Sequence, residues 1–136
     1  MIALDTNIFI YVLESNPDFA GPAATALHRA QEGGAASVLV YAELLSNSAF
    51  KDAGLRNIAV GFLDAQALQY VELTRDILVD AARLRTNSEK RLGLGDAIHL
   101  ASALAAGADT FVTNDKELVK LRMAGLKVVT LADISS

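Results

Sequence analysis

Four acidic side chains in this 136-residue chain stand where their chemistry could converge: Asp5, Glu43, Asp96 and Asp115. Each lies beside a short apolar run or an apolar helix, and carboxylates gathered at such places can hold a hard divalent cation. The chain has no cysteine, which removes a thiol nucleophile, a disulfide framework and any Cys-based zinc or iron–sulfur site. His28 and His99 are its only histidines, too few for a histidine-rich metal site. Any metal must therefore be held by oxygen, which points to Mg2+ or Mn2+.

The elements that must position these acids follow from periodicity and punctuation. An apolar run at 2–4 stops at Asp5-Thr6-Asn7, a helix-start signature, and a brief helix over 8–12 should end near Asn16-Pro17. A second helix is expected over 18–31, stopped by Gly33-Gly34. Residues 37–40 read as a buried strand, followed by helices over 41–51 and 55–63. A weaker strand at 68–73 leads to Thr74, which should cap a helix whose Ile77, Leu78, Ala81 and Leu84 share a face. Residues 86–94 are polar and read as a loop. Then come an almost wholly apolar helix over 96–106, a strand at 110–113, a helix over 116–123 and a last strand at 127–131. Strands separated by helices imply right-handed crossovers and a parallel sheet covered on both faces. The expected fold class is α/β, three-layered, with about five strands, as one domain over 1–136.

That topology predicts a shared location. Asp5 directly follows the first strand, and Glu43 should lie in the first turn of the helix after the second. Asp96 opens the helix that returns to the fourth strand, and Asp115 closes that strand. All four belong on the carboxyl rim of the sheet, where open α/β folds place ligands. Taken singly, each could be a helix cap or a partner for a helix dipole. Converging, they carry a cost: two carboxylates about 5 Å apart repel by roughly 3 kcal/mol at an effective dielectric near 20. Several such pairs are heavy against a total stability of about 5–15 kcal/mol. Proton uptake or a divalent cation must offset the repulsion, and such cations organise phosphates and activate water at phosphoryl centres.

At these residues the sequence resembles a PIN-domain ribonuclease, in particular the VapC toxins of bacterial and archaeal toxin–antitoxin pairs. The likeness is carried by Leu4-Asp5-Thr6-Asn7, by Glu43, by the run from Gly95-Asp96 through His99 to Ala101, and by Thr113-Asn114-Asp115. It implies an α/β/α sandwich with a five-stranded parallel sheet in the order 3-2-1-4-5. It also implies a Mg2+- or Mn2+-dependent endoribonuclease, often a homodimer, with a VapB-like antitoxin as partner. By motif position Asp5, Glu43, Asp96 and Asp115 correspond to the acidic quartet of that family, and Asn7 and Thr113 to the polar residues that accompany it. Asp5 and Asp96 would be direct metal ligands, Glu43 and Asp115 would complete the site, and Asn7 and Thr113 would orient waters or carboxylates.

The remaining composition limits the partners. With 52% apolar residues and a net charge of −4, the chain is globular and has no overall attraction to nucleic acid. RNA contacts must then come from local cations: Arg83, Arg85, Lys90 and Arg91 in the segment leading to Asp96, and Lys116 after Asp115. The longest run without a formal charge, 97–108, is shorter than the roughly 20 residues a bilayer demands. The start of the chain lacks the basic region of a signal peptide, so a cytoplasmic protein without a membrane role is expected. His99 lies one helical turn after Asp96, but its apolar helix favours a hydrogen-bonded core histidine, and it is not counted as catalytic. Other readings are a non-toxin RNA-processing or binding module of the same fold, or a receiver-type signalling domain. The receiver reading needs an acidic pair after the first strand, and Asp5 has no acidic neighbour.

Overall fold

The short strands of the sheet divide their side chains between two cores. In the computed structural model, which describes residues 1–89 and 92–134, the chain runs β1 (Ile2–Leu4), α1 (Thr6–Leu13), α2 (Ala20–Ala30), β2 (Ala35–Ser37) and α3 (Leu39–Leu45). A 3-10 turn (Ser48–Lys51) precedes α4 (Ala53–Asp64), β3 (Gln69–Val71), α5 (Arg75–Asn87) and α6 (Leu94–Ala105). The chain continues with β4 (Thr110–Val112), α7 (Lys116–Val119), β5 (Lys127–Val129) and α8 (Leu131–Ile134). All strand pairs are parallel and the sheet order is β3-β2-β1-β4-β5, as expected.

Alternation along the strands builds the layers. Ala3, Ala35, Val71, Phe111 and Val128 point to one face, where they pack with Ile77, Ala81, Ala97 and Leu100 from α5 and α6. Leu4, Ala36, Val112 and Val129 point to the other, against Ile8 and Phe9 of α1, Ala23 and Leu27 of α2, and Leu63 of α4. The small residues of β2 let α6 pack closely over it. That packing sets the height of the α6 N-terminus relative to the strand ends, and so the height of Asp96.

Several elements depart from the sequence expectation. The second strand is Ala35–Ser37, not 37–40, and α3 already begins at Leu39. Ser37 makes the turn, its Oγ accepting the Leu39 N–H at 3.1 Å, while Gly34 packs directly on the Ala30 backbone. Tertiary fit thus overrides the strand preference of the branched residues that follow. Glu43 in consequence lies in the second turn of α3, not the first. Thr74 caps α5 as expected, accepting from the Ile77 N–H at 3.2 Å, but Leu78 is 44% exposed and does not share the buried face of Ile77 and Ala81. α5 continues to Asn87 and α7 stops at Val119, four residues short of its expected end. Asp96 is not the N-cap of α6; Gly93 is, and Asp96 stands within the first turn with its carboxylate uncommitted to the helix end.

Candidate functional site

The site forms where β1 and β4 end side by side. Leu4 pairs with Val112, so Asp5 and Thr113 emerge together from neighbouring strands. Asp5 is the N-cap of α1: its Oδ1 accepts the Thr6 N–H at 2.7 Å. Its Oδ2 accepts the Thr113 hydroxyl at 2.8 Å, and the same Thr113 oxygen accepts the Asp115 N–H at 3.0 Å. Asp115 in turn caps α7 through the Glu117 N–H at 2.9 Å. One fully buried threonine thereby fixes both the deepest carboxylate and the turn that presents Asp115. Thr113→Val keeps the shape and removes these bonds beside a buried charge. It is expected to cost about 2 kcal/mol in urea denaturation.

Glu43 reaches the same place from α3. Its Oε1 accepts the Thr6 hydroxyl at 2.6 Å and is in direct hydrogen-bond contact with His99 Nε2. That nitrogen also lies 3.0 Å from Thr6 Oγ1 and 3.9 Å from Asp5 Oδ1. His99, left out of the catalytic set by its apolar helix, is buried beneath the acids and joins two of them. Its spacing from Asp96 was the available signal.

The electrostatics record how crowded the rim is. Burial and then the neighbouring Asp5 and Asp115 push the Asp96 carboxyl up to about 6, with Glu43 adding to the effect. Burial raises Asp5 as well, against the lowering effects of His99 and Thr113. The bond to His99 holds Glu43 below its ordinary value. Burial opposes charging His99, but Glu43 and Asp5 outweigh it and raise the imidazole. Asp5, Asp115 and Glu43 thus all lie near enough to Asp96 to oppose its ionisation.

Their donor set suits a hard cation. Every side-chain donor among the four acids is oxygen, and Asn7, two positions after Asp5, has a buried Oδ1 without a hydrogen-bond partner among the described residues. Among the described residues no group of three or more His, Asp or Glu side chains is arranged to hold a metal ion. Mg2+ commonly binds through one or two carboxylates and keeps several of its waters, so the arrangement fits that ion. Asp5 and Asp96 would hold it, and lowered proton affinity at Asp96 would be the immediate consequence.

The expected RNA-contacting cations are placed less uniformly. Arg83 pairs with Asp80 at 3.1 Å along α5, and Arg85 Nε donates to the Leu92 carbonyl at 2.8 Å, bracing the approach to α6. Lys116 is exposed beside Asp115. Lys90 and Arg91 lie outside the described residues. Asp109 sits at the opposite end of β4, paired with the chain's amino group. Tyr11 packs on Phe19 and Tyr41 on Tyr70.

The acids thus lie at the carboxyl edge of a parallel α/β sheet, where open α/β folds place their ligands. The PIN domain family model matches residues 2–123, and the chain belongs to that family. Among solved structures it is similar to a chain of the VapBC2 complex from Rickettsia felis bound to a promoter DNA fragment. The two share 25% identity with a TM-score of 0.73, over 96% of this chain and 98% of that one. It is similar in fold to a toxin–antitoxin complex from Klebsiella pneumoniae (23% identity, 96% and 98% covered, TM-score 0.71). The same holds for DNA-bound VapBC from Salmonella typhimurium (19% identity, 96% and 97% covered, TM-score 0.71). No curated protein sequence matches the chain significantly. Among the described residues no helix is long and apolar enough to cross a membrane.

Proposed function

We propose that this protein is a Mg2+- or Mn2+-dependent endoribonuclease and the toxin of a VapBC-type pair, acting as a homodimer and restrained by a VapB-like antitoxin. The observation that carries the catalytic part is the Asp96 carboxyl, pushed up to about 6 by burial and by the neighbouring Asp5 and Asp115, with Glu43 adding to the effect. Family membership and the likeness to chains of toxin–antitoxin complexes support the partner assignment.

Asp5 and Asp96 hold the principal cation in this reading. Glu43 and Asp115 would complete the site, through waters or as the residues that hold a second ion beside the scissile phosphate. When bound, the cation supplies a Lewis acid for the phosphate oxygens and a water acidified enough to attack phosphorus near neutral pH. Thr113 aims Asp5 and favours its charged form against burial, and Asn7 offers its buried oxygen to a water of the site. Lys116, exposed beside Asp115, would meet a flanking phosphate in this reading. No protein nucleophile is needed, in keeping with a chain that lacks cysteine.

The test is cleavage of a structured RNA by the purified protein, abolished by EDTA and restored by Mn2+. Binding of Mn2+ and RNA with no cleavage under either cation would replace the nuclease reading with that of a binding module.

A further inference from the structure

Glu43 is held so that its two oxygens meet different surroundings. Oε1 accepts the Thr6 hydroxyl at 2.6 Å and contacts His99 Nε2. An ionised carboxylate can only accept, so that imidazole nitrogen carries its proton. Oε2 receives no hydrogen bond among the described residues and lies over Gly95, where a Cβ added to the backbone would stand 2.8 Å from it. The oxygen therefore fills the volume a side chain would need. Gly95 is within the first turn of α6 and is not among the glycines of positive φ. Its backbone makes no demand for glycine, and a helix disfavours it. Space for Glu43 is the demand that remains.

We propose that Thr6, His99 and Gly95 are positioning residues that seat Glu43: the first two tie down Oε1, and the missing side chain at 95 leaves Oε2 free to serve the cation or its waters. The proposal rests on the cation-dependent reading above and adds three residues outside the acidic quartet to it. It makes one oxygen of Glu43 structural and the other functional. It also makes the identity of residue 95 a condition on the carboxylate of residue 43, across the gap between α3 and α6.

Gly95→Ala in the full-length protein separates this seat from an ordinary packing role. Alanine favours the helix and Glu43 is a flexible side chain, so melting temperature in EDTA should equal or exceed that of the wild type. Mn2+ affinity, followed by electron paramagnetic resonance, should nevertheless fall roughly tenfold or more. With Glu43→Ala already in place, adding Gly95→Ala should change Mn2+ affinity less than about twofold, because the effect passes through Glu43. His99→Gln, which keeps an N–H donor, should retain more affinity than His99→Leu. In the ion-free protein the imidazole nitrogen resonances of His99 should move in Gly95→Ala while those of exposed His28 stay. Wild-type affinity with unmoved His99 resonances in Gly95→Ala would overturn the seat and leave the cation reading standing. An equal loss in the Glu43→Ala background would overturn it too. Failure of the wild-type protein to bind Mn2+ at all would remove the cation reading itself, and the seat with it.

Discussion

Asp96→Asn should lose RNA cleavage by at least about 10³-fold, the scale seen when a preorganised electrostatic group is removed from an active site, while keeping its fold. The side chain is nearly isosteric, and Asp96 makes no cap bond that α6 depends on. What disappears is a negative charge that burial, Asp5 and Asp115 all disfavour in the protein alone. Its removal relieves repulsion, so the melting temperature in EDTA should hold or rise even as activity collapses. A group kept for stability would behave in the opposite way. Single-turnover cleavage of a labelled RNA and thermal melts in EDTA read the two quantities separately. Activity within tenfold of wild type would refute the role assigned to Asp96.

Acidification should weaken Mn2+ binding at least about tenfold between pH 7 and pH 5. With its carboxyl raised to about 6, Asp96 is about nine-tenths ionised at the upper pH and about one-tenth at the lower, and protons compete with the ion for it. Asp5 is raised too and adds to the loss. Stability without ions should run the other way. A carboxyl whose folded value lies above its ordinary 3.8 keeps a proton that the unfolded chain has released. Stability from Asp96 therefore declines as pH rises from about 4 to 6, and Asp5 acts in the same direction. His99, raised by Glu43 and Asp5, contributes stability below its ordinary value that fades as pH climbs through its folded one. Glu43 is lowered, so its contribution is lost only on the acid side, as pH falls through its folded value. Melts in EDTA should thus fall from pH 5 to pH 8, and saturating Mn2+ should flatten or reverse the trend. Titration calorimetry at the two pH values and melts with and without Mn2+ decide it; a level EDTA profile would count against a crowded rim.

Residue type and local pattern carried much of the architecture. Asp5-Thr6-Asn7 after an apolar triplet announced a strand ending in a helix cap, and Thr74 before Ile77 announced another. Alternation of strands and helices implied the parallel sheet, while its order came with the family likeness. Boundaries were weaker. The branched residues at 38–40 have the local chemistry of a strand, yet Gly34 against Ala30 and the Ser37 turn move the strand upstream. Leu78 fits the spacing of a buried stripe and is exposed, because the width of that stripe depends on what α6 covers.

The sequence by itself determined the chemistry available: oxygen donors, no thiol, few imidazoles, and acids placed at strand and helix ends where backbone periodicity forces their positions. Only the tertiary structure decided which groups share a proton or a lone pair. Thr6 and Glu43 are 37 positions apart and Glu43 and His99 are 56 apart, so nothing local signals that they meet. The gap at Gly95 is likewise empty only relative to a side chain from another helix. Such contacts depend on how closely two helices approach across a sheet, a distance set by the small side chains of β2 and the whole packed core beneath.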